Sequence, residues 1–249
     1  MFTVTNNSLV SPVILHAPHG GRGIPQKFLE SFVVTPQELE AEKDALTDHH
    51  TDALVSSITG ASTVVNRMSR FAVDVERFPD ETEELNEVGM GILYTHGSRR
   101  QELRRPTASD REALMAFFDD YSASVTNLVD SVLLQHGRAL IIDVHSFTKD
   151  PLAHELHADQ SRPPLCIGFD PFHASPTFIQ MVSDTFRWLP STHNEPFQGA
   201  YVPLKHYRTD PRVMSVMLEI RRDVYMDEAS LELDATAFAQ LRASLQQLA

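Results

Sequence analysis

Short apolar runs that end in polar islands alternate along the chain with longer stretches carrying apolar residues at helical spacing. Val10 to His16 is an apolar run closed by a Gly-Gly turn and reads as a strand, followed by helix starts at Thr35-Pro36 and at Asp48. Ala61 to Asn66 and Phe71 to Val75 are rich in β-branched residues and read as strands, and Gly91 to Thr95 adds another. Ser109 and Glu112 make a capping-box pattern ahead of a long helix. Its apolar positions include Leu114, Phe118, Tyr121, Val125, Leu128 and Val132, and Gly137 stands where it should end. The unbroken run Ala139 to Val144 predicts a strand covered on both faces. Ser175-Pro176 opens a helix reaching about Trp188, Val213 to Ile220 reads as a buried strand, and Asp234 caps a last helix through Leu248. Strands alternating with helices predict an α/β fold. No fixed-period repeat or Gly/Ser linker divides the chain, so residues 1–249 are expected to form a single domain.

Charge and cysteine usage narrow the function classes. With 34 acidic and 21 basic residues the formal charge is -13, which disfavours nucleic acid and anionic membrane surfaces as partners. A small anionic substrate remains compatible, because a few arginines in a water-poor cleft outweigh distant, screened carboxylates. The single cysteine, Cys166, excludes an intrachain disulfide and any cysteine-rich zinc motif. No secretory pattern or apolar run of roughly 20 residues is present, so a soluble cytoplasmic protein is expected.

The polar islands carry the chemistry. In an open α/β sheet, residues that follow strands converge beyond the carboxyl ends of those strands. His19 sits between Pro18 and two glycines, and His145 ends a buried run where a polar group needs a partner. Asp48-His49-His50-Thr51-Asp52 supplies a third ligand for zinc, which accepts imidazole nitrogen and carboxylate oxygen and keeps one position open in catalytic sites. Asp48 is preferred and His50 is its rival, since the two face apart in a continuous helix. Asp143 is a candidate for supporting His145. Glu219 ends the run Val216-Met217-Leu218, where burial raises a carboxyl pKa toward the range useful for acid-base work. Arg70 and Arg77 suit oxyanion stabilisation and carboxylate binding, although pairing with Asp74 or Glu76 is their ordinary alternative. Seven positions apart, they face opposite ways on an ideal strand, so a bulge or strand end must intervene.

Taken in order, these islands resemble the N-formylglutamate amidohydrolase family. The matching stretches are Pro18-His19-Gly20-Gly21, Asp48-His49-His50-Thr51-Asp52, Ser69 to Arg77, Asp143-Val144-His145-Ser146, Gly199-Ala200-Tyr201 with His206-Tyr207, and Leu218-Glu219. The resemblance implies a three-layer sandwich with a mixed, mostly parallel central sheet, similar to zinc carboxypeptidases and aspartoacylases. It implies one zinc ion per chain on His19, Asp48 and His145, with Glu219 as acid-base residue, Arg70 at the oxyanion and Arg77 on the substrate carboxylate. The chain departs from the family pattern at Glu76, where many relatives carry Asn, and at Lys205, where an arginine is expected. The implied activity is hydrolysis of a small N-acyl amino acid, N-formyl-L-glutamate first. The other readings are a carboxypeptidase-like hydrolase with a different substrate and a non-catalytic anion-binding protein on the same fold. A serine hydrolase is disfavoured because no Gly-x-Ser-x-Gly elbow is present.

Overall fold

One mixed sheet runs through the computed structural model, which describes residues 1–155 and 158–249. The strands are β1 (Phe2–Thr5), β2 (Val13–Ala17), β3 (Ser62–Asn66), β4 (Ala139–Phe147), β5 (Leu165–Gly168), β6 (Ser191–His193) and β7 (Val213–Arg221). Their spatial order is β1-β3-β2-β4-β7-β5-β6. Neighbours pair in parallel except β1 with β3 and β5 with β7. The helices are α1 (Gln26–Leu29), α2 (Pro36–Leu46), α3 (Thr51–Ser56), α4 (Ala108–His136), α5 (Pro176–Thr185) and α6 (Ala235–Leu248).

Period-two alternation explains how two helical layers share this sheet. From β2, β4 and β7, residues Leu15, Ile142, Val144, Val216 and Leu218 pack in one core with residues of α3, α5 and α6. The other set, Ile14, Ala139, Ile141 and Val213, packs against Tyr121, Val125, Leu128 and Val132 of α4. The central strands are therefore apolar on both faces, as strands covered by helices must be. Full burial of one such aliphatic side chain is worth about 1.5–3 kcal/mol, so the two cores dominate the stability of the sandwich.

The same alternation brings polar residues to one place. His16, Asp143, His145 and Glu219 continue the α4-facing set. His16 is in register with Asp143 across β2 and β4, and His145 with Glu219 across β4 and β7. All four lie toward the carboxyl ends of parallel strands.

Several expected elements are corrected. Phe71 to Val75 and Gly91 to Thr95 are not strands. Ala72 N–H bonds back to Ser69, Asp74 N–H donates to Ile92, and the Phe71 and Ala72 carbonyls accept from buried Arg104 at 2.7 and 3.0 Å. The β-branched run is thus satisfied as a buried turn by a guanidinium remote in sequence. Helix α4 starts earlier than Ser109: Thr107 caps it and closes a reciprocal box with Asp110. Helix α5 stops at Thr185 rather than near Trp188, whose indole N–H instead donates to Ser244 of α6. Edge strands β1 and β6 escaped prediction because they are short and largely exposed. The caps at Thr35, Ser175, Gly137 and Asp234 stand as expected. Among the described residues, no helix is long and apolar enough to cross a membrane.

Candidate active site

His19 lies just beyond β2, Asp48 in the connection between α2 and α3, and His145 near the end of β4. Asp48 is held by its own backbone: its N–H donates to the His19 carbonyl, and its carbonyl accepts from the Thr51 hydroxyl at 2.7 Å. At the next turn His50 adopts φ 65°, which sends its ring away. His50 Nε2 meets the Leu231 carbonyl at 3.1 Å, so of the two rivals it is Asp48 that joins the histidines.

The three groups converge through single atoms. Nδ1 of His19 and Nδ1 of His145 are 3.3 Å apart, and Asp48 Oδ2 lies 3.1 Å from the latter and 3.8 Å from the former. Ligands on a tetrahedral zinc at about 2.0 Å stand about 3.3 Å from one another, so two nitrogens and one oxygen at these separations fit that ion. The carboxylate is oriented from behind, where Asp48 Oδ1 faces Arg70 at 3.9 Å and Arg222 at 3.8 Å. Arg222 is itself anchored on the Ala45 carbonyl at 2.7 Å. Burial opposes ionisation of Asp48, yet His145, with His19 and Arg70, holds its pKa down to about 2. Burial also disfavours charge on His145, but Asp143, Glu76 and Asp48 outweigh it and raise its pKa well above the ordinary value.

Asp74 is the hub that sequence reasoning treated only as a possible pairing partner. Completely buried, it accepts from His19 Nε2 at 2.8 Å, Arg70 Nη2 at 3.0 Å and the Tyr94 hydroxyl at 2.7 Å. Arg77 Nε stands 3.4 Å away. One carboxylate thus orients a candidate metal ligand and both candidate arginines. Its pKa stays well below the ordinary value although burial pushes the other way, because His19, Arg77 and Arg70 surround it. The two arginines flank a turn rather than a strand, which removes the difficulty of their spacing. Tyr94 and Arg222 were also missed, because their roles depend on partners far away in the sequence.

These groups open onto a cavity of about 640 Å³, whose lining includes His19, Asp48, Arg70, Arg77, His145 and Glu219. Glu219 has a buried Oε2 without a hydrogen-bond partner. Burial is the main influence on Glu219 and raises its pKa to about 8; His145 lowers it and Asp48 adds to the rise. A poised carboxyl, convergent metal donors and two guanidinium groups at one cavity are suited to hydrolysing a small anionic amide. Asp143, placed on the His145 face by the alternation, stands with Oδ2 3.0 Å from His145 Nε2.

Comparison with known proteins agrees with this fold. The N-formylglutamate amidohydrolase from Ralstonia eutropha JMP134 superposes with a TM-score of 0.83 at 21% identity, covering 99% of this chain and 96% of that one. A gene product of Agrobacterium tumefaciens superposes with a TM-score of 0.68 at 18% identity, covering 99% and 95% of the two chains. These likenesses show the shared fold. No curated protein matches the sequence. The family model for N-formylglutamate amidohydrolase matches residues 11–226, a span that takes in every group of the cavity named above, and the chain belongs to that family of amide hydrolases.

Proposed function

We propose that this protein is a zinc-dependent hydrolase that cleaves the amide of a small N-acyl amino acid, N-formyl-L-glutamate being the first candidate, to give L-glutamate and formate. The observation that carries the reading is the convergence of His19, Asp48 and His145 in a cavity that also contains Arg70, Arg77 and Glu219, whose Oε2 is buried. His19, Asp48 and His145 would hold the zinc, which supplies Lewis acidity to the amide carbonyl and acidifies water. Arg77 binds the substrate carboxylate and fixes the scissile amide over the donors. Glu219 removes a proton from the attacking water and delivers it to the leaving nitrogen as the C–N bond breaks, so one carboxyl serves as base and then as acid. Arg70 stabilises the negative charge that develops on the carbonyl oxygen, a role for which a single donor is worth about 3–4 kcal/mol in other hydrolases. Asp74 keeps both arginines in place. A cytoplasmic protein acting without a nucleic-acid or membrane partner completes the reading.

One observation favours a different N-acyl amino acid. Glu76 lines the cavity next in sequence to Arg77, and a carboxylate there weakens the pull on an anionic substrate.

The test is release of glutamate and formate from N-formyl-L-glutamate by zinc-loaded protein, with His145→Ala as the background. Release that disappears in the variant supports the reading. Activity confined to other N-acyl amino acids moves the substrate, and no hydrolysis of any N-acyl amino acid rejects the enzyme assignment.

A further inference from the structure

Directly beneath the His19, Asp48 and His145 donors lies a second convergence that the proposed reaction does not use. His16 Nδ1 is 2.9 Å from Asp143 Oδ1 and 3.3 Å from Glu76 Oε1. The other oxygens of the same two carboxylates face His145 Nε2, Asp143 Oδ2 at 3.0 Å and Glu76 Oε2 at 3.2 Å. Two carboxylates therefore lie side by side between two imidazole rings, Asp143 buried and Glu76 at the cavity wall.

Three features make this arrangement suited to a cation rather than to a simple ion pair. The separations around His16 Nδ1 approach the about 3.3 Å edge expected for ligands on a tetrahedral zinc, as in the first group. Polar capacity is left over: Glu76 Oε1 and His145 Nε2 are both buried without a well-directed hydrogen bond, and the His145 side chain is only 6% exposed. Finally, the far side of His16 is supported as metal-bound histidines are. Its Nε2 meets the Tyr121 hydroxyl at 2.5 Å, a partner that fixes the ring and leaves Nδ1 directed at the carboxylates. Like charges in contact at low dielectric repel strongly, and a divalent ion between them removes that cost. Glu76 lines the cavity, so an ion has an entry path.

We infer that His16, Glu76 and Asp143 form a second divalent-cation site through His16 Nδ1, Glu76 Oε1 and Asp143 Oδ1, while the other oxygens of the two carboxylates face the Nε2–H that His145 carries when its Nδ1 serves the first site. The inference rests on the reading that His19, Asp48 and His145 bind metal. Zinc suits the nitrogen and oxygen donor set. A second ion would neutralise Glu76 and Asp143, the two carboxylates that face the His145 ring.

The experiment counts metal. Apo-protein is equilibrated with zinc, desalted and measured by inductively coupled plasma mass spectrometry, as wild type and as Glu76→Gln. Two ions per chain in the wild type and one in the variant are expected. In cobalt-loaded wild type the paired centre should show magnetic coupling by electron paramagnetic resonance, absent from Glu76→Gln. A single zinc in both proteins overturns the second site and leaves the first standing; equal counts of two in both overturn the assignment to Glu76. No zinc in the wild type overturns the metal reading and this inference together.

Discussion

At the scale of single residues, burial combined with a few fixed charges sets the chemistry. Glu219 was legible because a carboxyl at the end of an apolar run must be buried, and burial does raise its pKa, to about 8. Glu219→Gln keeps the shape of the side chain and removes its ability to exchange a proton. We expect zinc content to remain and kcat to fall by about 100- to 10,000-fold, the range typical of general acid-base groups. Metal analysis beside a steady-state assay checks this, and unchanged turnover would sink the assigned role. Asp74 shows what residue-by-residue reading loses. Its neighbours in sequence suggested a local pairing with arginine, which exists, but its bonds to His19 and Tyr94 exist only after folding.

Local backbone chemistry at the scale of elements decided more than hydrophobic pattern did. Ser175 and Asp234 cap helices as their sequences require, whereas Phe71 to Val75 has the composition of a strand and is a turn because Arg104 takes its carbonyls. Burial lowers the Arg104 pKa to about 10, which leaves the guanidinium charged at neutral pH. The Gly-Gly turn after β2 is constrained just as tightly. A Cβ added to Gly21 would stand 2.4 Å from the carbonyl carbon of Arg67, backbone that cannot rotate aside. Gly21→Ala should therefore destabilise the protein by about 1–3 kcal/mol, as overpacking does elsewhere, and weaken metal binding by displacing His19. Urea denaturation gives the first quantity and zinc titration the second; a variant with wild-type midpoint and affinity would show that the turn has room.

For the whole molecule, candidate donor atoms from just beyond β2, the α2–α3 connection and β4 come together only in the folded state, so the proposed metal binding would be coupled to folding. Free zinc at about 100 times its Kd should stabilise the chain by about 2.7 kcal/mol, and His145→Ala should remove most of that gain. The effect has a definite pH sign. Without metal, buried carboxylates hold the His145 pKa above its ordinary 6.5, against the influence of burial. That pairing contributes stability at pH below the unfolded value and loses it as pH rises through the folded one. Zinc must displace the same proton, so its apparent affinity rises with pH, and the zinc-dependent increase in Tm should be larger at pH 8 than at pH 6. Thermal scans with and without zinc test this, and a shift that shrinks with rising pH would refute the proton competition. What the sequence determined by itself was the α/β class, the central strands β4 and β7, the N-caps of α2, α5 and α6, the glycine that ends α4, and a shortlist of polar residues at strand ends, because periodicity and capping act over a few residues. Tertiary structure alone decided that Asp48 rather than His50 meets the histidines, that Asp74 and Arg222 hold the site together, and that Glu76 reaches both His16 and His145. Those outcomes depend on strand order, register and one left-handed turn, which bring together groups separated by up to more than half the chain.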